Sequence, residues 1–429
     1  MRVAVIGSGI AGMVAAARLH RAHEVTVFDA ASHIGGHTNT VDVECQGRQY
    51  AVDTGFIVFN DWTYPRFIAL LNDLGVAYQS SNMSFSLRDE RSDLEYNGTS
   101  INTLFAQRRN ALRPSFLRMI ADILRFNKGC RELLAGNNDA LTLGDYLEAH
   151  HYSRAFRDQF IVPMGMSIWS ATERAMLSFP ARFFVEFFDK HGFLNVNNRP
   201  VWQAVKGGSR EYMRKLAAPL LHRVRLNTAV TAVRRDVAGV TVRTALGSVE
   251  RFDYVVIACH SDQALKFLAD ATPAEREVLG AFPYQENEVV LHTDESLLPR
   301  TKLARAAWNY HLPRFRDPRD RVALTYDMNV LQTLDAPVKF LVTLNRTADI
   351  DRAKVLKTLT YHHPVYLPAG VAAQKRRAEV SGVNRTFYCG AYWRYGFHED
   401  GVVSAEWALE DFARCTGNAP ASEMLARAV

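Results

Sequence analysis

Gly7, Gly9 and Gly12 stand two and three residues apart, behind the apolar run Val3-Ala4-Val5-Ile6 and at the head of a small apolar run reaching Ala17. Such a spacing offers an anion a surface made of backbone alone. Gly7 allows a tight turn, Gly9 leaves room for a pyrophosphate to reach the main chain, and Gly12 lets a helix lie close to the preceding strand. Ile10 and Ala11, in the first helical turn, present N–H groups that no intrahelical acceptor takes, and the positive end of the helix dipole adds to them. A second apolar run, Glu24 to Phe28, ends on Asp29, whose carboxylate suits ribose hydroxyls and disfavours a 2′-phosphate. Strand, glycine turn, helix and acid at these distances predict a dinucleotide site.

The next residues narrow the dinucleotide. His33-Ile34-Gly35-Gly36-His37-Thr38 follows the second strand at once, a continuation that a nicotinamide fingerprint lacks. It resembles the double-glycine motif of the flavin amine oxidase and phytoene desaturase superfamily, whose paired glycines run against the FAD diphosphate and ribityl chain. The resemblance implies FAD contacts for Gly35, Gly36, His37 and Thr38. His37 stands where that family usually has arginine, so its charge depends on pH. Further landmarks follow in the superfamily's order. Thr54-Gly55-Phe56-Ile57-Val58-Phe59 resembles the segment that passes the flavin ring, and Gly207-Gly208-Ser209-Arg210 the glycine pair that returns the chain to the FAD domain. Val230, in the strand Leu226 to Val233, falls where the family's backbone meets adenine. In Thr386 to Ala405 a strand, Gly390, a loop and a helix capped by Asp400, with Gly401 and Val402 at its start, aim a helix N-terminus at the flavin. That positive end would stabilise an anionic reduced flavin.

The fold implied is α/β: a Rossmann-type FAD-binding domain, glutathione-reductase-like and of the amine oxidase family, interleaved with an α+β substrate domain. Residues 1–60, 206–265 and 376–429 are expected in the first and residues 61–205 and 266–375 in the second. A chain of 429 residues is long for one core. No second GxGxxG occurs, so no NAD(P)H domain is expected. Hydrophobic content of 48% and charged content of 22% are those of a soluble enzyme. The net charge of +6 suits an anionic lipid surface, while nucleic acid is set aside because no motif for it accompanies the charge. No apolar run reaches the roughly 18 residues of a membrane span, and the first strand begins at residue 3. We therefore expect a cytoplasmic protein that touches the inner face of the membrane peripherally. Cys45, Cys130, Cys259, Cys389 and Cys415 are scattered and read as reduced thiols, none in a tethering context, so FAD is expected to be noncovalent. His150-His151 and His362-His363 lack partners at ligand spacing, and no metal is expected.

The substrate side is aromatic: Trp169, Phe179, Phe183, Phe184, Phe187, Phe188 and Phe193 either form core or line a long apolar pocket. Leu104 to Leu134 carries Arg108, Arg109, Arg113, Arg118, Arg125 and Lys128 between apolar residues. It reads as a solvated face on core helices or as a basic amphipathic helix on a membrane, with Pro114 forcing a break or a first turn. Ser167-Ile168-Trp169-Ser170, Arg199-Pro200-Val201-Trp202, Gly207 to Tyr212 and Gly396 to Gly401 resemble a bacterial group of FAD-binding oxidoreductases. They are similar also to the flavin-binding half of plant cyclopropane fatty-acid synthases, which implies lipid chemistry. Amine oxidases of the superfamily carry a lysine before two valines and a leucine; here that pattern is Glu288-Val289-Val290-Leu291. Glu288 is then either a general base, if burial raises its pKa, or a strand residue facing water, and His398 is the second group able to collect a proton. Three readings stay open: an FAD-dependent dehydrogenase or desaturase of a fatty-acyl or other lipid substrate, a flavin amine oxidase, and a non-catalytic flavoprotein partner of a lipid-modifying enzyme.

Overall fold

The computed structural model describes residues 1–136, 138–315 and 321–417. Its central sheet has five parallel strands in the order Val224–Arg225, Glu24–Phe28, Arg2–Ile6, Tyr254–Ile257 and Thr386–Tyr388. A parallel sheet is covered on both faces, and its strands accordingly read as apolar runs. The two-residue period sorts them into two cores. Val3, Val5, Val25, Val27 and Val256 face the helices Ile10–Leu19 and His398–Thr416, whereas Ala4, Ile6, Phe28, Val255 and Ile257 face the other way. That second face packs on the antiparallel sheet Val230–Asp236, Gly239–Thr244 and Val249–Phe252, through Val233, Val240, Val242 and Phe252.

A mixed seven-stranded sheet makes the second half. Its order is Val355–Pro364, Tyr284–His292, Leu341–Leu344, Leu324–Asp327, Trp308–Leu312, Phe85–Asp89 and Leu94–Asn97, so segments far apart in sequence share it. Only the pair Trp308–Leu312 and Phe85–Asp89 is parallel. The largest core lies between this sheet and helices including Pro114–Gly129, Val162–Trp169 and Ala181–Lys190.

Local chemistry accounts for several boundaries. The hairpin Thr40–Cys45 and Arg48–Asp53 turns at Gln46 and Gly47, both at positive φ, as a two-residue hairpin turn requires. Pro114 takes the first position of its helix, where its missing N–H costs nothing. The helix opened by Arg210 narrows at Ala217 into a 3-10 turn, Ala218–Arg223, because Pro219 cannot donate to the previous turn. Two expectations are corrected. The adenine-side strand begins at Val230 and not at Leu226. The last helix begins at His398, with Asp400 inside its first turn; the carboxylate reaches back to accept from the N–H groups of Phe397 (2.9 Å) and Tyr395 (3.1 Å). A side chain two residues inside thus does the work expected of a cap.

Candidate active site

The loops at the C-terminal ends of the parallel strands, together with Tyr284, Trp308, Tyr326, His362 and His363 of the seven-stranded sheet, enclose a cavity of about 750 Å³, within the range of cofactor and ligand sites. At one end the three glycines of the first turn have three different surroundings. Gly7 has φ of 106°, and a Cβ on it would lie 2.9 Å from the Ala258 carbonyl oxygen. A Cβ on Gly12 would lie 2.0 Å from the Gly7 carbonyl oxygen, so this glycine serves packing. A Cβ on Gly9 would meet nothing within 4 Å: it would point into open cavity. Asp29 also lines the cavity, accepting from the Ser8 N–H (2.6 Å), the Ser8 hydroxyl (2.5 Å) and the Ala31 N–H (2.8 Å). These three bonds leave the carboxylate one lone pair, on Oδ1.

Gly35 and Gly36, at φ of 128° and 58°, bring the next turn against the first; a Cβ on Gly36 would lie 3.4 Å from the Gly9 Cα. His37 follows with its ring 4.8 Å from that of Tyr361 and 5.4 Å from that of His363, and His260 lies 6.2 Å away. Its Nε2 is buried with no hydrogen-bond partner among the described residues. Burial, then the neighbouring histidines, hold its pKa well below the ordinary histidine value. His260 and His363 are pushed down to about 4, again chiefly by burial. An open backbone cradle, a carboxylate at the end of the second strand and an orphaned ring nitrogen beside the paired glycines fit these residues to an adenine dinucleotide.

Val230 and Gly390 line the cavity as well; a Cβ on Gly390 would lie 2.5 Å from the Tyr392 ring. Gly401 and Val402 are not part of the lining. A Cβ on Gly401 would lie 2.6 Å from Ile10 Cγ2, so Gly401 lets the last helix cross the first. Thr38 is also behind the wall, its hydroxyl bonded to the Tyr212 hydroxyl and, at 3.0 Å, to His398 Nε2. His398 does line the cavity, stacked on Phe56 at 3.5 Å. Its Nε2 is held by both hydroxyls, the Tyr212 contact also being 3.0 Å, and burial pushes its pKa down to about 3. That nitrogen is thus committed inside the protein and is not free to collect a proton.

Glu288 is not brought to the cavity. Its carboxylate accepts from the Thr347 hydroxyl (2.9 Å), on the strand face away from the main core. The residue on the other face is Asn287, fully buried, whose amide is 3.1 Å from His363 Nδ1 and 3.4 Å from the Ser170 carbonyl oxygen, both residues being in the cavity wall. A shift of one residue along a strand exchanges its faces, and a neutral amide stands there instead of a carboxylate. Of the aromatic cluster, Trp169, Phe187 and Phe193 line the cavity; Phe179, Phe183, Phe184 and Phe188 are core. Trp202, from the string Arg199-Pro200-Val201-Trp202, also lines it, together with His191, Lys266 and Tyr284.

The sequence profile of the family described as flavin containing amine oxidoreductase matches residues 10–321. The chain belongs to this family. The family is one of flavin-containing oxidoreductases, and FAD is the cofactor it brings to this chain. "Putative flavin-containing monoamine oxidase AofH" of Mycobacterium tuberculosis (strain CDC 1551 / Oshkosh) is 26% identical over 272 residues, 60% of this chain and 56% of that protein. The match thus spans little more than half the relative's length. Three solved structures share the fold over nearly all of both chains. The CLA-producing fatty acid isomerase from P. acnes has a TM-score of 0.67 at 17% identity, over 96% of this chain and 98% of that one. Putrescine oxidase bound to putrescine has 0.68 at 14%, over 100% of each. Cyclohexylamine oxidase from Brevibacterium oxydans IH-35A has 0.68 at 17%, over 99% of each. No helix among the described residues is long and apolar enough to cross a membrane.

Proposed function

We propose that this flavoenzyme removes hydride from a C–H bond of a hydrophobic, fatty-acyl or other lipid, substrate. The observation that carries this reading is the charge distribution of the wall. Among the described residues only Asp29 and Lys266 line the cavity with charged side chains, and both belong to the dinucleotide end: Asp29 ends the second strand, and the Lys266 helix, Ser261–Phe267, packs on the Val230 strand. The other arm is lined by Val58, Met83, Trp169, Phe187, Phe193 and Trp308 among others, with no carboxylate. An ammonium ion buried there would have no counter-ion, a cost of several kcal/mol or a lost proton, whereas each buried methylene contributes about 0.8 kcal/mol. The fold alone does not choose, since it serves a fatty acid isomerase and amine oxidases alike.

In this reading Gly7, Gly9, Gly35, Gly36 and the helix start at Ile10 and Ala11 hold the cofactor diphosphate, His37 donates to it, Asp29 takes the ribose and Val230 the adenine. Residues 1–60, 206–265 and 376–417 form the part that holds the cofactor, and residues 61–205 and 266–375 the part that holds the substrate. Bound FAD supplies the hydride acceptor, N5 of its flavin ring. His191 provides a polar point in the apolar arm. Its Nδ1–H donates to the Phe187 carbonyl (2.9 Å), which leaves Nε2 as an acceptor, and burial pushes its pKa down to about 4, so the ring is neutral near pH 7. The test is anaerobic flavin reduction by a panel of phospholipids, free fatty acids and soluble amines. Loss of the oxidised-flavin band with acyl substrates is expected; bleaching by amines alone would replace this reading with amine oxidation.

A further inference from the structure

The wall of the apolar arm is also part of the outer surface. Phe193 and Trp202 line the cavity, and the loop between them runs over the outside, with Val196 65% and Val201 52% exposed. Trp62, 39% exposed, belongs to the same rim: a Cβ on Gly192 would lie 3.2 Å from its ring and 2.8 Å from Pro200. The neighbouring Asp61 carboxylate accepts from the Val201 N–H at 2.8 Å.

On the other side the loop is tied to a helix. The Arg131 guanidinium donates to the Asn195 side chain (2.9 Å) and pairs with Asp189 (3.3 Å). Arg131 stands in the turn just after the helix Pro114–Gly129, on which the exposed Leu117 and Leu124, seven residues apart, lie near one stripe. Residues 117–131 hold four basic side chains and one acid, Asp122, which is buried between Arg118 (3.3 Å) and Arg125 (3.0 Å). Lys128 and Arg199 are exposed beside them. Apolar side chains thus stand in a basic surround that runs into an apolar cavity.

We infer that this rim docks on an anionic phospholipid bilayer and that the substrate enters the cavity from it past Phe193 and Trp202. The inference rests on the hydrophobic-substrate reading above. Indole and short aliphatic side chains partition into the headgroup boundary, and basic neighbours add attraction to anionic lipid. Arg108, Arg109 and Arg113 belong to a different task. Arg108 holds Asn102, Arg109 pairs with Asp93, and Arg113 donates to the Asp93 carbonyl (3.2 Å), so reversing their charges would loosen the structure itself.

The experiment is flotation of the FAD-loaded protein with phosphatidylglycerol/phosphatidylcholine vesicles and with pure phosphatidylcholine, at low and high salt. Flotation with the anionic vesicles, weakened by salt, is expected. The triple variant Trp62→Ser, Val196→Ser, Val201→Ser should lower partitioning about tenfold or more while keeping its flavin absorbance. Val196→Glu, on the exposed loop, should act in the same direction without touching the packed Trp62. Absence of flotation, or variants that float as the parent does, would overturn the docking surface, as would anionic binding that survives high salt unchanged. The two readings separate cleanly. Flotation without bleaching by any lipid removes the substrate assignment and leaves the docking, whereas bleaching by detergent-dispersed acyl chains without flotation does the reverse.

Discussion

Gly9 and Gly12 are the same residue type three positions apart with opposite surroundings, and replacing them separates folding from cofactor binding. Gly9 has ordinary extended backbone at φ of −66° and open space where a side chain would go, so Gly9→Val is expected to fold and to lose FAD. Gly12→Val would drive a methyl group into the Gly7 carbonyl, with an overpacking cost of about 1–3 kcal/mol or more, and should lose both. Flavin absorbance and far-UV circular dichroism of the two purified variants check this; a yellow Gly9→Val protein would remove Gly9 from the site. Attachment of the cofactor is also a question for single residues. Cys389 is fully buried at the end of the strand Thr386–Tyr388, and burial pushes its thiol up to about 12. Cys259 lines the cavity at the dinucleotide end, and burial raises its pKa as well. Neither is a thiolate nucleophile near neutral pH, so acid precipitation should leave the flavin in the supernatant. Colour retained in the pellet would contradict noncovalent binding.

Between elements, a buried ion pair joins parts that the sequence does not place together. The Arg235 guanidinium, on the strand Val230–Asp236, donates to both oxygens of Glu275 (2.7 and 2.8 Å), in the first turn of Pro273–Gly280. The Tyr388 hydroxyl, from the central sheet, donates to the same carboxylate at 2.6 Å. Both charged side chains are almost fully buried; Arg235 Nε has a second carboxylate, Asp270, at 2.8 Å, whereas removing Arg235 leaves the Glu275 carboxylate buried without a cation. Arg235→Ala is expected to cost about 3–5 kcal/mol, read from the denaturant midpoint of the holoprotein, and a loss below 1 kcal/mol would show the pair to be dispensable. Asp53 plays a comparable joining part for the hairpin. It accepts from the Ser209 N–H (2.9 Å) and hydroxyl (2.7 Å) and the Thr40 hydroxyl (2.6 Å), which is how the Gly207-Gly208-Ser209 turn meets the segment after the paired glycines.

For the molecule as a whole, the buried histidines set the response to acid. His191, His260, His292 and His363 are lowered to about 4 and His398 to about 3, in each case mainly by burial. Between these values and the ordinary 6.5 the unfolded chain binds protons that the folded chain does not, so stability falls as pH falls from about 6.5 to about 4. Each histidine contributes up to about 1.4 kcal/mol per pH unit within that window. Asp53 and Asp400, raised to about 6 by burial, act oppositely: the folded chain holds their protons between 3.8 and about 6, which stabilises it towards acid. His37 is lowered as well, and six histidines against Asp53, Asp400 and the raised Glu399 and Glu406 leave a net loss. The thermal midpoint should therefore drop between pH 6.5 and 4.5, and a flat or rising midpoint would mean that these rings are hydrated in solution.

What could be read from the sequence was governed by neighbours along the chain. The glycine turn, the acid ending the second strand, the hairpin at Gln46-Gly47 and the helix opened by Pro114 follow from backbone sterics and from hydrogen bonds within a few residues, so residue type and spacing determined them. The family and its cofactor followed from those same local strings. Tertiary structure alone decided which side chains share the cavity. Whether residue 287 or residue 288 packs behind its wall depends on strand register, where one step exchanges the faces. Whether His37 meets His260 and His363 depends on three segments over 100 residues apart in sequence converging on one wall. The basic residues after Leu104 divided into internal ties and surface charge only when the hairpin carrying Asp93 closed on them. Such choices are made by packing, and packing couples residues that no spacing along the chain relates.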